Sequence, residues 1–148
     1  MGKGRLEAFS DGVFAIIITI MVLELVPPHG ATLEDLRGLG PIFLAYVLSF
    51  VNVGIYWTNH HHLFQAVRVV DGRVLWANLF LLFWLSLFPF TTAWMGENGF
   101  APLPVALYGG ALLMASVAYY ILERLLIRIQ PVGTQLGDAV GLEIKGLT

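Results

Sequence analysis

The sequence lacks cysteine and has little charge. Without cysteine, its 148 residues cannot form disulfides, thiolate metal sites or cysteine nucleophiles. Charged residues make up 12% of the chain, about half of the roughly 25% that is usual in soluble domains. The formal net charge is −2 and no basic cluster is present, which argues against a nucleic-acid partner. Because so little charge cannot solvate a globule of this size, the composition predicts an integral membrane protein.

Long charge-free stretches support this prediction. Asp, Glu, Lys and Arg are absent from residues 38–67, 74–96 and 98–122, and each stretch exceeds the ~20 residues that a helix needs to cross a bilayer. A shorter stretch near the start can also span if Asp11 and Glu24 lie near the interfaces. The apolar runs are continuous and lack the alternation of a membrane β-barrel. We therefore predict an all-α helical bundle with four spans, at about residues 6–26, 41–64, 74–94 and 104–124.

The connections and the basic residues predict the topology. Pro27 and Pro28 end the first span because proline cannot continue a helix, and residues 32–35 fit the N-cap and first turn of a small interfacial helix. Arg37 is the one basic residue expected on one side of the bilayer, whereas Lys and Arg at positions 3, 5, 68, 73, 124 and 128 fall on the other. This asymmetry predicts a cytoplasmic amino terminus. Three tryptophans lie near predicted span ends, as interfacial anchors do: Trp57, Trp76 and Trp94.

The last twenty residues differ in composition from the rest. They contain Pro131, four glycines and scattered charges, which indicates a connector and not a fifth span. Residues 1–128 form the predicted transmembrane domain. Residues 129–148 are either a loose tail or the start of a part that carries further helices.

Polar side chains crowd the mouth of the first span. Ser10 and Asp11 are expected near the first helical turn, where free backbone N–H groups and the positive end of the helix favour oxygen atoms and negative charge. Capping leaves Arg5 unexplained, six residues before Asp11. We expect Arg5 to be a charge partner at the same mouth.

A second polar group lies late in the second span, in the sequence WTNHHHLF. The three histidines, His60–His62, point about 100° apart around a helix, so they cannot all bind one metal ion. We expect one or two of these rings to face the bundle. Because Trp76 and Asn78 lie at the same predicted depth as Ser10 and Asp11, the sequence predicts a buried inter-helical network of hydrogen bonds.

The first span also carries a stripe of residues at the spacing i, i+4, i+7 and i+11: Gly12, Ile16, Thr19 and Leu23. If several copies of the span surrounded an axis, rings of Ile16 and Leu23 would form hydrophobic constrictions on either side of a ring of threonine hydroxyls. The alternative is ordinary packing or lipid contact, with the Thr19 hydroxyl bonded to the carbonyl four residues earlier. Spacing alone favours this alternative.

Four motifs occur in one order along the chain. R-x-x-x-F-S-D runs from Arg5 to Asp11, N-H-H begins at Asn59, W-x-N-L begins at Trp76, and S-L-F-P-F begins at Ser86. Together they resemble the transmembrane protein 175 family of potassium channels, over residues 3–128. The resemblance implies a cation channel without the T-V-G-Y-G selectivity loop, which is absent here too. It also implies a tetramer of one six-helix unit around a pore lined by the first helix.

The resemblance assigns roles to single residues by motif. Four residues would tie the first helix to the second and third: Arg5, Phe9, Ser10 and Asp11. Their partners would be His61, with His60 as the alternative, together with Trp76 and Asn78. The narrowest pore ring would be Ile16, five positions after the aspartate, and Thr19 would contribute to potassium preference. The family unit has six spans where this chain shows four, so we expect the sequence to stop before two further helices.

We therefore predict a subunit of a potassium-permeable channel, a homotetramer in a prokaryotic plasma membrane whose partners are monovalent cations and lipid. No cofactor or resident metal is predicted, and no enzyme motif such as H-E-x-x-H or a phosphate-binding glycine loop is present. Two other classes stay open. One is a small-solute carrier in which Asp11, Glu24 and the histidines relay protons. The other is a non-conducting scaffold in which the stripe of the first span serves packing alone.

Overall fold

The structure, a computed structural model, describes residues 2–131. Six helices follow one another and no strand occurs in this range: α1 (Lys3–Leu23), α2 (Leu33–Arg37), α3 (Gly40–Gln65), α4 (Gly72–Ser86), α5 (Phe88–Glu97) and α6 (Pro102–Ile129). Four stretches are long and apolar enough to cross a membrane, namely α1, α3, α4 with α5, and α6. The predicted all-α bundle with four spans is confirmed. Most of the predicted connector, residues 132–148, lies outside the described residues.

The third span consists of two helices, which the sequence analysis did not predict. Leu87 forms a turn between the end of α4 and the start of α5. Pro89 explains the break, because it has no N–H to bond the carbonyl of Leu85 and its ring crowds that carbonyl. The hydroxyl of Ser86 donates to the carbonyl of Phe83 at 2.6 Å, which satisfies one acceptor beside the break.

Side chains cap the amino-terminal ends of two helices, α2 and α4. The predicted N-cap and first turn of a small helix are present at α2, where Thr32 and Asp35 form a reciprocal capping box. Hydrogen bonds from the Thr32 side chain and backbone hold the pKa of the Asp35 carboxyl below its usual value. Asp71 caps α4 by accepting from the backbone N–H of Val74 at 3.0 Å, and this bond lowers the pKa of Asp71.

A tight left-handed turn joins α5 to α6. Gly99 has a φ of 57°, and the N–H of Phe100 donates to the carbonyl of Met95 at 2.9 Å. The N–H of Gly99 reaches back to the carbonyl of Gly96 as well. These two bonds form a Schellman motif, which satisfies the last carbonyls of α5 and reverses the chain into α6.

The buried core forms where α1, α4 and α5 pack against one another and against the longer helices, α3 and α6. α1 packs against α3, α4 and α5; α3 packs against α5; and α4 and α5 pack against α6. Buried alanines line the side of α6 that faces the bundle, at Ala111, Ala115 and Ala118. Such small residues let helix backbones approach closely in a membrane.

A row of polar side chains bridges α3 and α6. The Asn52 amide donates to the Tyr108 hydroxyl at 2.8 Å, and the hydroxyls of Tyr56 and Ser116 share a hydrogen bond of 2.7 Å. One turn further along, the Tyr119 hydroxyl donates to the carbonyl of Asn59 at 3.1 Å. At the other end of the row, buried Ser49 donates to Tyr108 and also bonds the hydroxyl of Thr92 on α5. We call these bonds the α3–α6 polar row.

Candidate functional site

A buried chain of hydrogen bonds connects α1, α3 and α4. His60 bonds Asn78 Oδ1 through its Nε2 atom at 2.8 Å, the Asn78 amide donates to Ser10 Oγ at 2.9 Å, and Ser10 donates to the carbonyl of Leu6 at 2.8 Å. Because Asn78 Oδ1 can only accept, His60 Nε2 is the donor in the first bond. Ser10, His60 and Asn78 are all fully buried. Two central members of the predicted inter-helical network, Ser10 and Asn78, are therefore joined by a hydrogen bond.

The histidine in this network is His60 and not His61, so the first choice made from the resemblance is wrong. His60 lies on the buried face of α3 with Val53 and Phe64, and its ring stacks on Phe64 with a centroid separation of 4.5 Å. The ring of Phe14 meets His60 edge-on from α1. His61 follows about 100° further around the helix, which turns it away from Asn78.

Two contacts join the polar edge of α1 to α3, one helical turn apart. The Trp57 indole N–H donates to Asp11 Oδ1 at 3.1 Å. His61 Nδ1 lies 3.7 Å from Glu7 Oε1, and the rings of Trp57 and His61 stack with a centroid separation of 5.7 Å. Trp57 was expected to be an interfacial anchor, and no role was predicted for Glu7. The signal in the sequence for these contacts is that Glu7 and Asp11 are four residues apart on α1, as Trp57 and His61 are on the antiparallel helix α3.

Three predicted members take part neither in the buried network nor in the contacts of Asp11 and His61. Trp76 is 75% exposed, Phe9 is 50% exposed, and no ion pair involves Arg5 within residues 2–131. Arg5 does not reach Asp11 because α1 already begins at Lys3, which places the two side chains on different faces of one helix. For the same reason Ser10 and Asp11 lie two turns inside α1 and do not cap it, contrary to the prediction.

The stripe of α1 faces away from the bundle. The buried residues of α1 are Leu6, Ser10, Phe14, Ile17 and Met21. All four members of the stripe are exposed, with Ile16 at 59% and Leu23 at 78%. At about 100° per residue, the centre of the stripe is nearly diametrically opposite the centre of the buried face. α1 thus presents two apolar side chains and one hydroxyl to whatever lies outside the single chain.

The Thr19 hydroxyl bonds its own helix. Its Oγ1 atom is 3.0 Å from the carbonyl of Ala15 and 2.9 Å from that of Ile16. The single hydroxyl hydrogen points back to these carbonyls, so the oxygen lone pairs remain available on the exposed side. No cluster of three or more potential metal ligands is found within residues 2–131.

The motifs and the fold agree with one family of known proteins. A family model described as "Endosomal/lysosomal potassium channel TMEM175" matches residues 5–89, more than half of the chain. The chain belongs to the TMEM175 family. A potassium channel of Chryseobacterium sp. (strain P1-3) is 57% identical over 98% of this chain and 76% of its own length.

Further TMEM175 relatives extend the comparison to structure and to animals. The crystal structure described as a lysosomal potassium-selective channel TMEM175 homolog from Chamaesiphon minutus superposes with a TM-score of 0.77 at 34% identity, over 82% of this chain and 70% of that one. The human endosomal/lysosomal proton channel TMEM175 is 40% identical over 80 residues, which cover 46% of this chain and 16% of the human protein. Membership of TMEM175 makes this chain a multi-pass membrane protein of an ion-channel family and not an enzyme.

Proposed function

We propose that the chain is a subunit of a potassium-permeable channel, a homotetramer in the plasma membrane with a cytoplasmic amino terminus. The observation that supports a pore along α1 is the direction of its stripe. Ile16, Thr19 and Leu23 share the face opposite the bundle core, where the same face of other copies could meet them around an axis. Permeant monovalent cations are the only ligands proposed.

The chemistry of the stripe suits a gated cation path. Rings of Ile16 and Leu23 form narrow apolar passages that can close by dewetting. Between them, the Thr19 oxygens can replace part of the hydration shell of a potassium ion, because their hydrogens already bond α1 carbonyls. The names of the bacterial relatives as potassium channels support the choice of potassium.

Potassium flux into liposomes tests this proposal. Ile16→Asn makes the constriction wettable, so we expect a severalfold higher potassium flux than in the unmodified protein. Val22→Asn is the matched control: Val22 is also exposed on α1, at 44%, but it points about 120° away from Ile16. Equal flux in the unmodified protein and Ile16→Asn would show that Ile16 is not the constriction.

Three further measurements on the same liposomes distinguish a channel from a carrier or a scaffold and show which ions permeate. Flux that saturates and depends on a proton gradient would indicate a carrier, and no flux from intact tetramers would indicate a scaffold. A sodium gradient in place of potassium measures cation preference. A pH-sensitive dye measures proton permeation. We include this measurement because the human, mouse and chicken relatives are named proton channels.

A further inference from the structure

Two neighbouring residues of α1 are attached to two different helices. Ser10 accepts a hydrogen bond from Asn78 of α4, and Asp11 accepts one from Trp57 of α3. Consecutive residues point about 100° apart around a helix. Attachments in two directions at one level resist rotation of α1 about its own axis, whereas either bond alone would act as a pivot.

The Trp57 bond is suited to this task by its chemistry and its depth. Its acceptor is a carboxylate, and bonds to ionised acceptors are about twice as strong as bonds between neutral groups. Trp57 lies eight residues before the end of α3, and Asp11 lies eight residues after the start of α1, so both lie roughly 12 Å from the same end of the bundle. The indole is also held from behind by the stacked ring of His61.

An interfacial anchor would not need this arrangement. A tryptophan that only marks the bilayer surface directs its N–H to lipid head groups or water. Here the N–H is directed to a side chain of α1, five residues before Ile16. Consecutive residues of a helix point about 100° apart. Rotation of α1 by this angle would turn Ile16 away from the direction in which the stripe faces and turn Ala15 towards that direction.

We propose that Trp57 is a positioning residue that, through its hydrogen bond to Asp11, fixes the rotation of α1 and so the direction in which Ile16 points. The inference rests on the proposed function, because only a pore along α1 makes this rotation matter for permeation. Trp57 touches neither the pore axis nor the ion in this arrangement. Its effect passes through Asp11.

Thiol accessibility measures the rotation directly. The 148 residues contain no cysteine, so Ile16→Cys and Ala15→Cys each introduce a unique thiol, and a water-soluble methanethiosulfonate reagent modifies only thiols that reach water. In the assembled tetramer we expect position 16 to react and position 15 to react slowly. In Trp57→Phe, which retains the stacked ring but loses the N–H, we expect the rate at position 15 to rise about tenfold relative to position 16.

A ratio of rates does not depend on the amount of folded protein, which separates positioning from a general loss of stability. Trp94→Phe is the matched control, because Trp94 also stacks on an aromatic ring, that of Phe90, and its indole donates no hydrogen bond within the described residues. We expect this control to leave the ratio unchanged. Asp11→Asn, which keeps an acceptor oxygen but loses the charge, should shift the ratio in the same direction by a smaller factor.

The outcomes distinguish the inference from the function on which it rests. Unmodified protein that conducts potassium, with an unchanged ratio in both Trp57→Phe and Asp11→Asn, would overturn the inference and leave the channel intact. Absence of potassium flux together with no modification at position 16 would overturn the proposed pore itself. If Trp57→Phe does not assemble, the ratio in Asp11→Asn decides, because an unchanged ratio there removes the role given to this bond.

Discussion

Asn78 is the residue on which the buried network depends. Its carbonyl oxygen accepts from His60 and its amide donates to Ser10, so one side chain serves a partner on α3 and another on α1. Hydrogen bonds between membrane helices contribute about 0.6 kcal/mol each on average and up to about 1.7 kcal/mol. Loss of Asn78 would break two such bonds and leave the buried Nε2 atom of His60 without a partner, whereas the Ser10 hydroxyl would keep its bond to the carbonyl of Leu6.

We therefore predict that Asn78→Ala lowers the free energy of unfolding by about 1–3 kcal/mol. Thermal unfolding in detergent, followed by tryptophan fluorescence, measures the change. Asn59→Ala is the control, because the Asn59 side chain is exposed and forms no hydrogen bond within residues 2–131, although its carbonyl does. Equal loss of stability in both variants would contradict the central place of Asn78.

Sequence reasoning found the polar residues but not all of their partners. The motif placed Ser10 and Asn78 in one network, since both lie at one depth, and the structure joins them. It gave His61 where the structure has His60, although the small and apolar residues at positions 45, 49, 53 and 64 already marked the face of α3 that includes His60. The bond between Asp11 and Trp57 depends on how α1 and α3 are rotated against each other, which no single helix reveals.

Among the helices, α5 approaches α3 closely at Gly96, which has no side chain. A Cβ atom at Gly96 would lie 3.0 Å from the Cα atom of Ile42 and 3.1 Å from the Cβ atom of Ala45, both on α3. A Cβ atom at Gly109 of α6 would meet nothing within 4 Å. The same substitution should therefore have opposite effects at these two glycines.

We expect Gly96→Ala to lower the midpoint of thermal unfolding, because an overpacking cost of about 1–3 kcal/mol exceeds the gain of ~1 kcal/mol in helix propensity. Gly109→Ala should hold or raise the midpoint, since it gains the propensity without a clash. The two variants are compared in one detergent at one concentration. A higher midpoint for Gly96→Ala would mean that α3 and α5 separate easily.

The helices themselves were largely predictable from the sequence, because each charge-free stretch is long enough for one span. The break at Leu87 was signalled by Pro89, but a proline inside an apolar run can also give a mild kink, so the signal did not decide between the two. The N-cap and first turn of α2 were predictable because residues 32–35 are local in sequence. Contacts between helices far apart in sequence had no such local signal.

For the whole molecule, the distribution of basic residues predicts how the bundle sits in the membrane. Arg37 lies on α2, at the opposite end of the bundle from Arg68, which follows α3. Since basic residues are retained on the cytoplasmic side, we expect a membrane-impermeant thiol reagent added outside cells to label Arg37→Cys and not Arg68→Cys. Lysis before labelling should expose both positions. The reverse pattern would place the amino terminus outside.

The four-span bundle and its family were within reach of the residues and motifs, whereas the homotetramer is implied by the resemblance alone. Hydrophobic length determines the spans, and the order of four motifs points to the family. How copies meet depends on exposed apolar faces, which lipid and protein can cover equally well, so the stripe of α1 carries no unique signal for a partner. The Trp76 side chain shows the same ambiguity, being 75% exposed in the single chain.

The α3–α6 polar row has a consequence for biogenesis. Asn52 and Tyr56 enter the bilayer with α3, but their partners Tyr108 and Ser116 belong to α6, which the ribosome completes about sixty residues after the end of α3. Until then these groups must be held by water, by the translocon or by a chaperone. A chain that stalls before α6 would therefore display a polar flank within the membrane, which is the kind of surface that quality-control proteases in the bilayer can recognise.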